Sequence, residues 1–176
     1  MAKTFKRVWN ILTMAVVVAV IVLALLLVGV RVIGYTPYVV LSGSMEPVFP
    51  TGSLIYVKAA DAGDVSVGDP ITFDMGDGTV ATHRVVAIDN AAGTFTTKGD
   101  ANNTADFNPV PFDALIGMPV FCIPHLGYLS DFLTEPPGMY IGWSVIAVLL
   151  ILMFLPEMLA AAEKADKRDA EKQRNH

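Results

Sequence analysis

Ile71-Thr72-Phe73-Asp74-Met75-Gly76-Asp77-Gly78-Thr79-Val80-Ala81-Thr82-His83-Arg84-Val85-Val86-Ala87-Ile88 decides the fold class of this chain of 176 residues. Asp77-Gly78 is a strong hairpin signal, because a two-residue turn of this type needs positive φ at both central positions. On either side stand a strand at 71–73 and the best strand pattern in the chain, at 80–88, both rich in residues that suit a pleated surface. Working outward, the turn at 90–93 leads to a partner strand at 94–98. Upstream, Thr51-Gly52 turns into a strand at 53–58, and a short strand is expected at 38–41. Downstream, 118–123 reads as a final apolar strand. Residues 59–67 are a polar connection, 99–111 an irregular loop rich in Asp, Asn and Pro, 124–133 an amphipathic connector, and 134–138 a hinge. Short strands with turns at near-regular spacing, and no helical period between 34 and 135, predict a mainly β domain built on a small sheet. The sheet is expected to be partly closed and barrel-like, since open edges are a liability outside the cell.

Beyond this domain the chain is apolar. Hydrophobic residues make up 53% and mean hydropathy is +0.53, too high for a plain soluble domain. Residues 11–30 carry no charge, which is length enough to cross a bilayer core of about 30 Å. Residues 139–155 are also uncharged, and Pro156 closes that run. The first run exceeds the apolar part of a signal peptide, and Val28-Gly29-Val30-Arg31-Val32 offers no small-x-small cleavage site, so it reads as a retained anchor. Lys3, Lys6 and Arg7 precede the first run; Lys164, Lys167, Arg168, Lys172 and Arg174 follow the second. The positive-inside rule then places both termini in the cytoplasm. The expected layout is a cytoplasmic N-terminus at 1–10, a transmembrane helix at 11–33, an extracytoplasmic domain at 34–135, a second transmembrane helix at 139–155 and a cytoplasmic tail at 157–176. The tail carries opposite charges at helical spacing, such as Glu163 and Lys167, which suits a solvated helix. The acidic middle region is a poor match for nucleic acid. A single cysteine, Cys122, excludes an internal disulfide.

The chemistry centres on Leu41-Ser42-Gly43-Ser44-Met45-Glu46-Pro47. Ser44 is held on a turn, with Gly43 allowing close approach of a ligand. A serine hydroxyl needs a base to take its proton. Of three histidines, His176 is the last residue, and His125 lies between Pro124 and Leu126, where packing or an interfacial position is expected. His83 shares a strand face with Ala81 and Val85, leaving the imidazole room, while Arg84 points to the other face. The loop Lys98-Gly99-Asp100-Ala101-Asn102-Asn103-Thr104-Ala105-Asp106 follows the partner strand, so its carboxylates can reach His83. Asp, His and Ser in that relation make the triad of a serine hydrolase. Each element alone also has a plain reading: an ordinary turn, a structural histidine, a solvated Asx-rich loop. Asn102-Asn103-Thr104 also fits a glycosylation sequon. Met45, Pro47, Val48, Phe49 and Pro50 form an apolar loop that either packs on the core or dips into the lipid interface.

In order, Ser42-Gly43-Ser44-Met45-Glu46-Pro47, Gly68-Asp69-Pro70-Ile71-Thr72-Phe73, Thr82-His83-Arg84-Val85-Val86 and Lys98-Gly99-Asp100 with Asp106 resemble the motifs of type I signal peptidases. The resemblance covers roughly 35–129 and is to the serine–histidine branch, typified by the endoplasmic reticulum enzyme and shared with archaea and some Gram-positive bacteria. It implies a β domain of antiparallel sheets and a membrane-anchored serine endopeptidase that removes signal peptides from exported precursors, cutting after small residues. By it, Ser44 would be the nucleophile and His83 the general base. Asp106 would orient the histidine and Asp100 would support it. The Ser44 N–H with the Ser42 hydroxyl would hold the oxyanion. Arg84 is read as structural. Ala101 departs from the family's Gly-Asp-Asn-Asn pattern, although the step from Asp100 to Asp106 is kept. The implied partners are signal-peptide-bearing precursors and the lipid bilayer, with room for other membrane subunits and none for nucleic acid. No cofactor is implied, and no metal-ligand spacing occurs. The rival readings are a non-catalytic accessory or binding subunit of a secretion complex, a hydrolase using Cys122, and a self-cleaving regulatory protease.

Overall fold

A computed structural model describes residues 2–76 and 78–174, so Asp77 of the expected hairpin turn and His176 lie outside the described residues. The chain divides into a compact unit of Ala24–Thr134 and a second unit made of the segments on either side of it.

The inner unit is built on one seven-stranded antiparallel sheet in the order β1-β2-β7-β3-β4-β5-β6. Its strands are β1 (Tyr35–Val39), β2 (Leu54–Lys58), β3 (Pro70–Asp74), β4 (Val80–Asp89), β5 (Thr94–Lys98), β6 (Val110–Pro111) and β7 (Leu115–Ile123). Strand β7 starts three residues earlier than its sequence suggests, because its two halves serve different neighbours. Its first part pairs with β3 and its remainder with β2, so this strand joins the two halves of the sheet. Gly117 sits at the join, where a Cβ would lie 2.1 Å from the Lys58 carbonyl oxygen. β1 likewise begins at Tyr35 rather than 38, drawn out by pairing with all of β2.

Each half of the sheet has its own core. Ile71, Phe73 and Val85 pack with Val65, Phe95 and Val110, and Phe112 closes on Phe95 at 4.5 Å between ring centroids. In the other half, Ile55 and Val57 of β2 pack against Met45 and Phe49. Burying each such side chain stabilises the fold by about 1.5–3 kcal/mol. The apolar loop after Ser44 is therefore core-facing at Met45 (2% exposed) and Phe49 (7%), and only Val48 of these three looks outward (49%). Cys122 packs on the same cluster.

The connector at 124–133, expected to lack helical period, is instead helix α2 (Leu126–Thr134). A nine-residue amphipathic helix shows too few turns for its period to stand out, and packing decides it. Gly127 lets it press onto the backbone of Ser53, whose carbonyl would lie 2.4 Å from an added Cβ.

Helix α1 (Ala2–Leu27), whose last four residues belong to the inner unit, contains Arg7–Leu27, a helix of 21 residues with mean hydropathy 2.9 and none of its most apolar window buried. It is long and apolar enough to cross a membrane. α3 (Gly138–Arg174) continues through Pro156, so the apolar run at 139–155 and the charged tail form one helix. The side chains of Glu163 and Lys167 are outside the described ones.

Candidate active site

Three elements of the inner unit meet at one point. The loop after β1 carries Ser44, fixed from below by burial of Met45 and by the Phe49 N–H, which donates to the Met45 carbonyl at 2.9 Å. Glu46 accepts a hydrogen bond from the Thr51 hydroxyl at 3.1 Å, tying the two ends of the loop. Strand β4 carries His83, opposite Ile71 of β3 and on the same face as Ala81. The 99–109 loop carries Asp106, whose N–H donates to the Thr97 carbonyl of β5 at 2.8 Å.

The side chains form a continuous hydrogen-bonded line. Ser44 Oγ lies 3.1 Å from His83 Nε2. His83 Nδ1 lies 2.6 Å from Asp106 Oδ2. The Thr97 hydroxyl donates to the same Asp106 oxygen at 2.7 Å. A carboxylate on Nδ1 keeps the proton there, which leaves Nε2 as the acceptor facing the serine hydroxyl. Ser42 Oγ stands 3.3 Å from Ser44 Oγ. Among the described residues the Ser44 N–H donates to no backbone carbonyl.

Asp100 is elsewhere engaged. Its carboxylate takes two hydrogen bonds from the Arg84 guanidinium, at 2.7 Å from Nε and 2.6 Å from Nη2, and Nη1 of Arg84 donates to the Gly68 carbonyl at 2.7 Å. The paired carboxylate raises the Arg84 pKa above its ordinary value through that hydrogen bond, against the opposing effect of burial. The acid in contact with the histidine is Asp106, and Asp100 reaches the site only by holding its own loop to β4. Strand alternation explains the split: His83 faces the core side while its neighbour Arg84 faces the other.

Ala101, the departure from the family pattern, has a structural place. Its N–H donates to the Ser44 carbonyl at 2.9 Å, and Gly99 beside it leaves room for that approach, since a Cβ there would be 2.6 Å from the Ser44 oxygen. Two participants escape a reading of the sequence. Thr97 shares a strand face with the buried Phe95, and that alternation was the available signal. Nothing local marks Ala101. His125 is exposed, has φ 64°, and stacks against Tyr128 with centroids 6.5 Å apart. An open cavity of about 330 Å³ adjoins the His83–Asp106 pair, walled by Phe73, Ala81, Phe107 and Pro109. Among the described residues no cluster of His, Cys, Asp and Glu is set to hold a metal ion.

Comparison with known proteins adds the following. The profile of the family described as "Signal peptidase, peptidase S26" matches residues 12–91. The chain is similar to Signal peptidase I W of Bacillus subtilis, 44% identical over 115 residues, covering 60% of each chain. It is similar to the signal peptidase complex catalytic subunit sec11 of Pyrenophora tritici-repentis, 32% identical over 141 residues, covering 70% of this chain and 80% of the relative. The corresponding subunit of Colletotrichum graminicola is 30% identical over 139 residues, covering 71% and 81%.

Proposed function

The chain belongs to the type I signal peptidases of peptidase family S26, and from that premise we propose that it is a membrane-anchored serine endopeptidase using Ser44, His83 and Asp106 to cut signal peptides from exported precursors. The single observation that carries this reading is the line from Ser44 Oγ through the imidazole to Asp106 Oδ2. Ser44 Oγ attacks the scissile carbonyl carbon while its proton passes to His83 Nε2. Asp106 holds the ring and offsets the charge of the imidazolium. The tetrahedral oxyanion lies against the Ser44 N–H and the Ser42 hydroxyl. The C–N bond then breaks, and His83 gives the proton to the leaving amine, which becomes the new N-terminus. Water, activated by the same imidazole, releases the acyl group from Ser44.

The cut follows small residues, as the family resemblance implies. Arg7–Leu27 crosses the membrane and 139–155 crosses it again, with both termini cytoplasmic and the β unit outside. Helix length and hydropathy support the first span, and the placement of basic residues supports the orientation. Confinement of enzyme and precursor to one thin layer raises their effective concentration. Relatives named as catalytic subunits of a complex support further membrane subunits as partners.

The test is a pH–rate profile for cleavage of a signal-peptide substrate in detergent, on wild type, Ser44→Ala and His83→Ala. Loss of activity in both variants, with a wild-type rate that rises as an imidazole gives up its proton, is the expected result. Activity surviving Ser44→Ala sinks the assignment and leaves the accessory-subunit and Cys122 readings.

A further inference from the structure

A cavity of about 330 Å³ runs from the His83–Asp106 pair over the face of β3, β4 and β5. Its floor includes Phe73 and Ala81, and the Phe73 ring stands edge-on to the imidazole with centroids 6.3 Å apart. One rim is Asp74 and Met75 at the end of β3; the other carries Phe107. Met75 is 61% exposed and Phe107 98%, although Phe107 directly follows the aspartate that holds the imidazole. The place of Phe107 is fixed, because the chain is pinned on both sides of it. The Asp106 N–H donates to the Thr97 carbonyl, and Val110 pairs with Phe95. A mainly apolar hollow of this size, with charged groups at a few points, has the form of a pocket for one large apolar group.

The path of the proton says which part of a substrate reaches this hollow. With the carbonyl carbon on Ser44 Oγ and its oxygen against the Ser44 N–H, the leaving nitrogen lies at His83 Nε2, which gives it the proton. The polypeptide beyond that nitrogen then continues past the imidazole. The cavity touches the imidazole, and none of the described residues at 41–50, the serine loop, lines it. It therefore lies on the leaving side of the cut. We propose, on the reading of Ser44 and His83 as nucleophile and base, that this cavity takes an apolar or aromatic side chain from the first three residues of the mature chain. Phe107 and Met75 flank that side chain and so set a preference after the cut. Acidic side chains are disfavoured, because Asp74 and Asp106 both line the cavity and like charges repel at short range.

The test uses the full chain in detergent with precursor peptides of constant signal segment. Their mature part begins Gln-Gln-Gln, so that no small residue offers a second cut, and one glutamine at a time is changed to Phe or Asp. At one of the three positions Phe is expected to exceed Asp in kcat/KM roughly tenfold, and Met75→Ser with Phe107→Ser lowers that ratio to about twofold. Both side chains are exposed, so the fold is kept. A wild-type ratio below about twofold at all three positions overturns the proposal, as does a ratio that the double variant leaves as it was. A double variant that instead changes the preference among residues before the cut moves the cavity to the acyl side and also overturns it. Ser44→Ala separates the two kinds of failure. Cleavage that needs Ser44 but is indifferent to the mature residues overturns the cavity alone. Cleavage that survives Ser44→Ala overturns the reading of the site, and the cavity with it.

Discussion

Ala101 and Ser44 are joined backbone to backbone: the Ala101 N–H donates to the Ser44 carbonyl oxygen at 2.9 Å. The loop that brings Asp106 to the histidine is therefore the loop that holds the nucleophile from its other side. Gly99 makes the approach feasible. In Gly99→Ala the new methyl meets the Ser44 oxygen at 2.6 Å and the Asn102 amide nitrogen at 2.7 Å, so one loop must move. Displacement of reacting groups by about 1 Å costs up to about 100-fold in rate. We expect kcat to fall by about that much with KM little changed, read in steady-state cleavage of a peptide substrate.

Asp106 Oδ2 accepts from both the imidazole and the Thr97 hydroxyl. Asp106→Asn offers an amide whose NH2 cannot accept, and the wrong histidine tautomer follows. A loss of about 10⁴-fold in kcat is expected. Thr97→Val keeps the carboxylate and removes one bond to it, for a loss on the order of tenfold, since a hydrogen bond to a charged group is worth about 1.5–3 kcal/mol at most. Single-turnover rates of the two variants, side by side, check the order.

Arg84 bridges β4 to Asp100 and Gly68. Arg84→Ala leaves Asp100 without its partner. The pair is partly exposed, with 30% and 16% of the side chains accessible, so the cost stays below the 3–5 kcal/mol of a fully buried pair, at about 2 kcal/mol. Urea unfolding of the variant measures it. Asp100→Asn keeps an acceptor for the guanidinium and is expected to cost less.

Tyr56 is buried, and burial raises its phenol pKa. The folded protein thus keeps this proton to higher pH than the unfolded chain does. Its contribution is complete below about pH 10, where unfolded tyrosine titrates, and is lost as pH rises from there through the folded pKa. Tyr56→Phe gives up the bond to Leu26, about 1 kcal/mol near neutral pH, and flattens the alkaline decline. Unfolding free energies of both proteins between pH 8 and pH 11 show whether the two curves converge.

Phe49→Ala opens a cavity beside Met45, Ile55 and Val57, and a loss of about 3 kcal/mol is expected. Val48→Ser next to it, half-exposed, changes stability by less than about 0.5 kcal/mol. Thermal melting separates them.

The sequence by itself determined the strands on either side of residues 75–79, the uncharged apolar run at 11–30, and the placing of Ser44, His83 and an aspartate on a loop, a strand and the following loop. These are local properties: alternation, turn chemistry and uninterrupted hydropathy are each written within about twenty residues. The family resemblance pointed to Asp106 over Asp100, although local pattern does not tell the two apart. Tertiary structure supplies the physical reason, pairing Arg84 with Asp100 and Thr97 with Asp106. It alone decided that Met45 and Phe49 face a core, that 126–134 is a helix, and that Ala101 braces Ser44. Each of those outcomes depends on a partner far away in the chain, and a local pattern carries no record of that partner.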